Sequence, residues 1–194
     1  MTTVYLARHG ESDWNAAQRF QGHSDRPLTE LGRRQAEALA KKLESHTALS
    51  AIYSSPLERA FGTATIVGAR LGLEPVAVDD LREVDVGGWS GLSRNEVEAA
   101  YPDAFQRWLD GGEGWDDGES YADMAARVLG ALRRIAANHP GDEVLVVSHG
   151  GPIRAIHAVA AGMDVHAYRR LNRVEGNAGV SRVAVEDGRI SRLD

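Results

Sequence analysis

The sequence predicts an α/β protein: three layers, α/β/α, around a mostly parallel central sheet, with a small insertion over one end of that sheet. Three observations predict it. Short runs of apolar β-formers alternate along the chain with segments of helical period, the pattern of strand–helix–strand units. Val144-Leu145-Val146-Val147 is a continuous apolar run bounded by polar residues, which suits a central parallel strand covered on both faces. The stretch from Gly87 to Gly118 is rich in glycine and tryptophan and shows only short helical patterns, so it reads as an insertion and not as part of the layers.

Taken in order, Val4-Tyr5-Leu6-Ala7 is a short buried strand. Gly10 to Pro27 is a polar loop with room for a helical turn. Thr29 can cap a helix in which Ala36, Leu39, Ala40 and Leu43 recur at helical spacing. Ala51-Ile52-Tyr53 is a second strand. In Ser55-Pro56-Leu57-Glu58 the serine is placed to cap a helix, the proline to sit at its first position and the glutamate to close a capping box; that helix runs to about Arg70. Ser93-Arg94-Asn95-Glu96 repeats the box. From Tyr121, the residues Met124, Val128, Leu132 and Ile135 mark a helix ending before Pro140. Pro152 opens another. Val183-Ala184-Val185, Asp187-Gly188 and Ile190 form a hairpin.

The 194 residues fit one domain, 1–194, with a cap-like insertion over about 87–120. A net charge of -6 argues against nonspecific binding to nucleic acid or acidic membranes. The absence of cysteine removes disulfides, thiolate zinc sites and cysteine nucleophiles. Met1-Thr2-Thr3 runs straight into the first strand without a charged leader, and no stretch has the length of a membrane span. The expected location is cytoplasmic. Oligomeric state cannot be read from the chain.

Two segments share a design: an apolar strand, a polar residue or two, then His-Gly. They end at His9-Gly10 and His149-Gly150. In open parallel sheets, ligands bind beyond the carboxyl ends of the strands. If these two strands are neighbours, both histidines reach one pocket. Arg59 falls in the first turn of its helix, where the helix dipole disfavours a cation unless an anion is near. His23 sits in the loop before Pro27, at the expected pocket mouth. His46, His139, His157 and His166 show no ligand spacing, so no metal site is expected. Trp89, Phe105, Trp108 and Trp115 are expected to pack the insertion.

The string Leu6-Ala7-Arg8-His9-Gly10-Glu11-Ser12-Asp13-Trp14-Asn15 resembles the signature of the histidine phosphatase (phosphoglycerate-mutase-like) superfamily. The resemblance continues in family order through Pro27–Gly32, Tyr53–Ala60, Leu81-Arg82-Glu83, Gly87–Gly91, Gly118–Ser120 and Val147–Gly151. It implies a phosphoryl-transfer enzyme in which His9 is the nucleophile and becomes phosphohistidine. By the same resemblance Arg8, Arg59 and His149 match the family's phosphate pocket. Asn15, Gln21 and the backbone of Gly150-Gly151-Pro152 add contacts. Glu83 is the general acid/base and must hold its proton near neutral pH. Asp80 and Asp85 are its rivals; strand alternation would place Asp85 on the same face as Glu83.

The expected function is a phosphatase acting on a small soluble phosphate monoester, without cofactor or metal. A cofactor-dependent mutase is the alternative, and a non-catalytic binding protein comes third. Mutases carry a longer, more basic insertion. Here Asp110, Glu113, Asp116, Asp117 and Glu119 crowd the stretch between Trp89 and Ser120, against Arg94 and Arg107. A carboxylate-bearing bisphosphate would be repelled there unless those acids face away.

Overall fold

The computed structural model describes residues 1–46 and 48–193, the side chain of residue 46 excepted. Among them one six-stranded sheet runs in the order β3-β2-β4-β1-β5-β6. β1 (Thr2–Arg8), β2 (Ala51–Ser54), β3 (Pro75–Ala77) and β4 (Glu143–Ser148) are mutually parallel. β5 (Val180–Glu186) runs antiparallel to β1 and turns back as β6 (Arg189–Arg192). The expected layered α/β sheet and its terminal hairpin are therefore present. The short edge strand β3 is an addition, with only one of its three residues even half-buried; too little apolar pattern survives there to announce a strand.

Alternation along β1 and β4 sorts their side chains between two layers. Tyr5, Ala7, Leu145 and Val147 pack with Leu39, Leu43, Ala60 and Val67 of α2 (Glu30–His46) and α3 (Glu58–Leu71). Val4, Leu6, Val144 and Val146 pack with Met124, Val128, Leu132, Ile153 and Ile156 of α6 (Tyr121–Ala137) and α7 (Gly150–Ala160). Helices cover both faces, as a sheet apolar on both sides requires.

Thr29 caps α2 as expected, its hydroxyl accepting from the Gly32 N–H at 3.0 Å. Ser93 and Glu96 close their capping box. The box at Ser55 does not form. α3 starts only after Leu57, which makes no side-chain cap. The Ser55 hydroxyl accepts from the Leu57 N–H at 3.3 Å and lies 2.8 Å from His149 Nε2. A tertiary partner has taken the oxygen that local spacing assigned to the helix.

The region 87–120 holds two short helices, α4 (Arg94–Ala100) and α5 (Pro102–Leu109), and otherwise turns. Trp89 is buried and meets Phe20 and Trp115 edge-on at 5.1 and 5.7 Å, while Phe105 stacks on Trp108 at 5.7 Å. The aromatics pack the insertion, as their spacing suggested. His157 and His166 have structural roles, bonding to Ser181 and to the Gly111 carbonyl. His139 contacts the Tyr53 hydroxyl. The expectation for the His46 side chain lies outside the described residues.

Candidate active site

β1 and β4 are neighbours in register, Ala7 beside Val147 and Arg8 beside Ser148. The residues that follow are therefore side by side. The His9 N–H donates to the Ser148 carbonyl at 3.0 Å, and the His9 and His149 ring centroids lie 5.1 Å apart. After β1 the chain leads to α2 on one face; after β4 it enters α7 on the other. That divergence opens a crevice at the carboxyl ends of the strands. It holds a cavity of about 460 Å³ walled by Arg8, His9, Gln21, Arg59, Glu83 and Gly150, among others.

His9 is buried, and its Nδ1 lies 2.7 Å from the Gly10 carbonyl. A carbonyl only accepts, so Nδ1 carries the proton and Nε2 keeps its lone pair. Burial, then the charges of Arg59 and Arg8, hold the ring's pKa well below the usual histidine value. The imidazole is neutral and nucleophilic. Gly10 is required for a reason other than turning: its φ is not positive, but a Cβ there would collide with the Gly32 carbonyl oxygen. The Gly10 N–H donates to Thr63 Oγ1, which in turn donates to the Arg59 carbonyl. The His9 loop is thus tied to the helix that carries Arg59.

Arg59 is 1% exposed. Its two terminal nitrogens donate to the Ser24 and Gly22 carbonyls at 2.8 and 2.9 Å. Burial draws its pKa down to about 10, against the attraction of Glu83 and Asp25. Arg8 donates to the Glu175 carbonyl at 2.6 Å. His149 is wholly buried behind His9 and does not reach the cavity wall. Burial first, and Arg59 next, keep its ring neutral as well. The Nε atoms of Arg8, Arg59 and Arg154 and the Nδ1 of His149 are all buried without any partner. Buried polar groups are almost always paired. Arg8, Arg59 and Arg154 also line the cavity, so three of these side chains turn positive charge toward one crevice.

Glu83 occupies an irregular loop and not a strand, so alternation does not link it to Asp85. Its Oε1 accepts from the Val84 and Gly151 N–H groups at 2.9 and 3.1 Å. Asp85 is turned away from the cavity, accepting from the Gly87 N–H and facing His23. Asp80 pairs with Arg134. Of the three acids only Glu83 lines the cavity.

Asn15 stands back from the cavity: its amide oxygen closes a capping box on Ser12 and accepts from Asn177. The Gly151 N–H serves the Glu83 carboxylate instead of being open to an anion. Gln21 and Gly150 do line the wall. His23 does not; its Nε2 lies 2.8 Å from the Glu83 carbonyl, so it holds the loop.

Arg127, with no motif to announce it, braces the same loop. It grips Glu119 through two 2.6 Å bonds and donates to the Asp80, Arg82 and Glu83 carbonyls at 2.8 Å. Arg154 and Arg169 also went unnoticed. Arg154 follows Gly150 by four residues on one helix face, a spacing that could have flagged it. Among the described residues, no three His, Asp or Glu side chains converge as a metal site would require.

The acids of the insertion face away from the cavity. Asp110 accepts from Gln106, Glu113 from the Tyr121 N–H and Asp117 from the Gly88 N–H; Asp116 pairs with Arg107 and Glu119 with Arg127. None lines the wall. The expected repulsion of a second anionic group is therefore absent, because the Gln106 side chain, backbone amides and arginines outside the cavity have taken these carboxylates.

The histidine phosphatase superfamily (branch 1) model matches residues 4–193. The chain belongs to the histidine phosphatase superfamily. Its relatives in that superfamily include phosphoserine phosphatase 1 of Hydrogenobacter thermophilus, 37% identical over 97% of this chain and 89% of the relative. A probable phosphoglycerate mutase of Photorhabdus laumondii is 37% identical over 94% of this chain and 85% of its own. Among solved histidine phosphatases, mycobacterial glucosyl-3-phosphoglycerate phosphatase bound to vanadate superposes with a TM-score of 0.88. It is 32% identical, with 97% of this chain and 95% of the other covered.

Two wholly buried neutral histidines also set a pH dependence. The unfolded chain takes up protons near pH 6.5 that the folded one refuses, so stability is fully present above that pH and lost as it falls. The slope is up to about 1.4 kcal/mol per pH unit for each histidine. Urea midpoints measured at pH 7.5, 6.5 and 5.5 should decline across the last interval; a flat profile would contradict the neutral assignment.

Proposed function

We propose that this protein is a phosphatase that hydrolyses a small phosphate monoester through phosphohistidine at His9. The buried, unpartnered nitrogens of Arg8 and Arg59 in the cavity wall, beside a neutral His9, carry the reading. Those donors suit the equatorial oxygens of a phosphoryl group in transfer.

In the first step the His9 Nε2 lone pair forms the P–N bond as the ester P–O bond breaks. The departing oxygen takes the proton of Glu83. As positive charge develops on the ring, the Gly10 carbonyl holds Nδ1–H. In the second step water attacks phosphorus, Glu83 takes its proton, and the P–N bond breaks to return neutral His9. The cavity mouth is ringed by exposed Arg94, Leu109 and Arg170, so water reaches the phosphoenzyme. Relatives named as phosphatases agree with this outcome.

A mutase reading draws on one observation, the inward-facing arginines that would suit a second anion. Inorganic phosphate assayed beside phosphoglycerate interconversion separates the two. The phosphatase reading requires stoichiometric phosphate release without 2,3-bisphosphoglycerate. Because arginines supply the positive charge a metal would otherwise provide, turnover should be unchanged in excess EDTA. Loss of activity in EDTA, restored by a divalent ion, would refute that assignment.

A further inference from the structure

The cavity extends past the phosphate seat, and its far half is basic and aromatic. Arg154, Arg169, Trp108 and Tyr121 wall it, with Arg94 and Arg170 at the rim. Arg154 is half-buried, and among the described residues its Nε is shielded without a partner. Half-buried cations are ordinarily paired. Arg169 is held in place by donating to the Trp108 and Gly112 carbonyls. Its guanidinium lies 4.9 Å over Trp108 and 5.0 Å over Tyr121. These contacts orient the group but neutralise little of its charge.

The nearest acid to Arg169 is Glu113, already bonded to the Tyr121 N–H and facing His166. The charge of Arg169 adds to what burial costs Arg154, while Tyr121 and Glu83 offset part of it; at Arg169 burial is opposed by Tyr121 and Glu113. Glu83 is the only carboxylate among the described residues that line the cavity. Two half-buried cations thus face one space with a single carboxylate in its wall, an arrangement that favours an anion between them.

We propose that Arg154, with Arg169 beside it, forms a second anion subsite, so that the preferred monoester carries a carboxylate or a second phosphate within reach of the transferring one. The inference rests on the phosphatase reading above and names the substrate class it left open. Arg154 lies one helical turn beyond Gly150, about 6 Å along α7. The second anion therefore belongs a few bonds from the ester oxygen. A guanidinium fork suits both carboxylate and phosphate, so the test carries both.

The purified full chain is assayed on substrate pairs that differ in one anionic group. The carboxylate pairs are 3-phosphoglycerate with glycerol 3-phosphate, and phosphoserine with phosphoethanolamine. The phosphate pair is fructose 1,6-bisphosphate with fructose 6-phosphate. The anion-bearing member of one pair should be favoured at least about tenfold in kcat/KM, the scale on which a site built for a polar group rejects its analogue. Arg154→Gln should bring that ratio to within about threefold of one, and Arg154→Lys should retain part of it. A ratio taken within one preparation is insensitive to partial misfolding. Ratios near one for every pair in the wild type, or a ratio that survives Arg154→Gln, would overturn the subsite. The underlying reading is judged separately by p-nitrophenyl phosphate. If the wild type does not hydrolyse it in a His9-dependent way, the phosphatase proposal falls and the subsite with it.

Discussion

His9→Ala should abolish phosphoryl transfer, by at least about four orders of magnitude, the scale seen when a nucleophile is removed. The expectation rests on the uniqueness of this imidazole in the crevice. His149 is buried behind it and its Nε2 is occupied by Ser55, while the Nε2 of His9 keeps a free lone pair beside Arg8 and Arg59. Wild-type protein, mixed briefly with a labelled monoester and quenched without acid, should yield a phosphoenzyme that is acid-labile and stable to alkali. His9→Ala should yield none, while its urea midpoint confirms that it folds. A label found on serine or aspartate, or retained in His9→Ala, would remove His9 from the mechanism.

Glu83→Gln should discriminate between leaving groups. The substitution removes the transferable proton but keeps the size of the side chain and its capacity to accept from the Gly151 N–H. Alkyl phosphates require protonation as they depart and should slow by roughly a hundredfold or more, the usual contribution of a general acid. Nitrophenolate leaves as a stable anion, so the first step with p-nitrophenyl phosphate should slow much less. Hydrolysis of phosphohistidine then limits turnover, because the attacking water has lost its base. Rapid-mixing kinetics should show a burst of nitrophenol followed by slow release. Asp85→Asn is the comparison: that carboxylate accepts from the Gly87 N–H and stands outside the cavity, so it should leave the dependence intact. Equal slowing of both substrate classes in Glu83→Gln, with leaving-group dependence appearing in Asp85→Asn, would transfer the role to Asp85.

The site was legible where short strings of residues carry it. His9 and His149 follow two apolar strands of similar form, and those strands pair directly, bringing the rings together. Arg59 was suspect as a cation at a helix start, and it is buried there without an acid partner on its own helix turn. Asn15 shows a second demand on such a residue. Its position fits the family string, but its amide oxygen accepts from the Ser12 N–H and from Asn177, and it stands back from the cavity wall. Ser55 shows the reverse case: a plausible local cap yields to a long-range contact with His149. In both, a side chain had two partners within reach, and only the packed chain could decide between them.

By itself the sequence determined the layered α/β architecture, the strand ends that carry the two histidines, and the family. These rest on periodicity, β-forming runs and short motifs, all local properties of the chain. Only the tertiary structure decided which charges face the cavity. Asp110, Glu113, Asp116, Asp117 and Glu119 lie near the site in sequence but point away, each held by a glutamine side chain, a backbone amide or an arginine outside it. Arg154 and Arg169 come from helices far along the chain and face inward. Charge adjacency in sequence does not fix direction in space, because each carboxylate turns toward whichever donor the fold brings within about 3 Å.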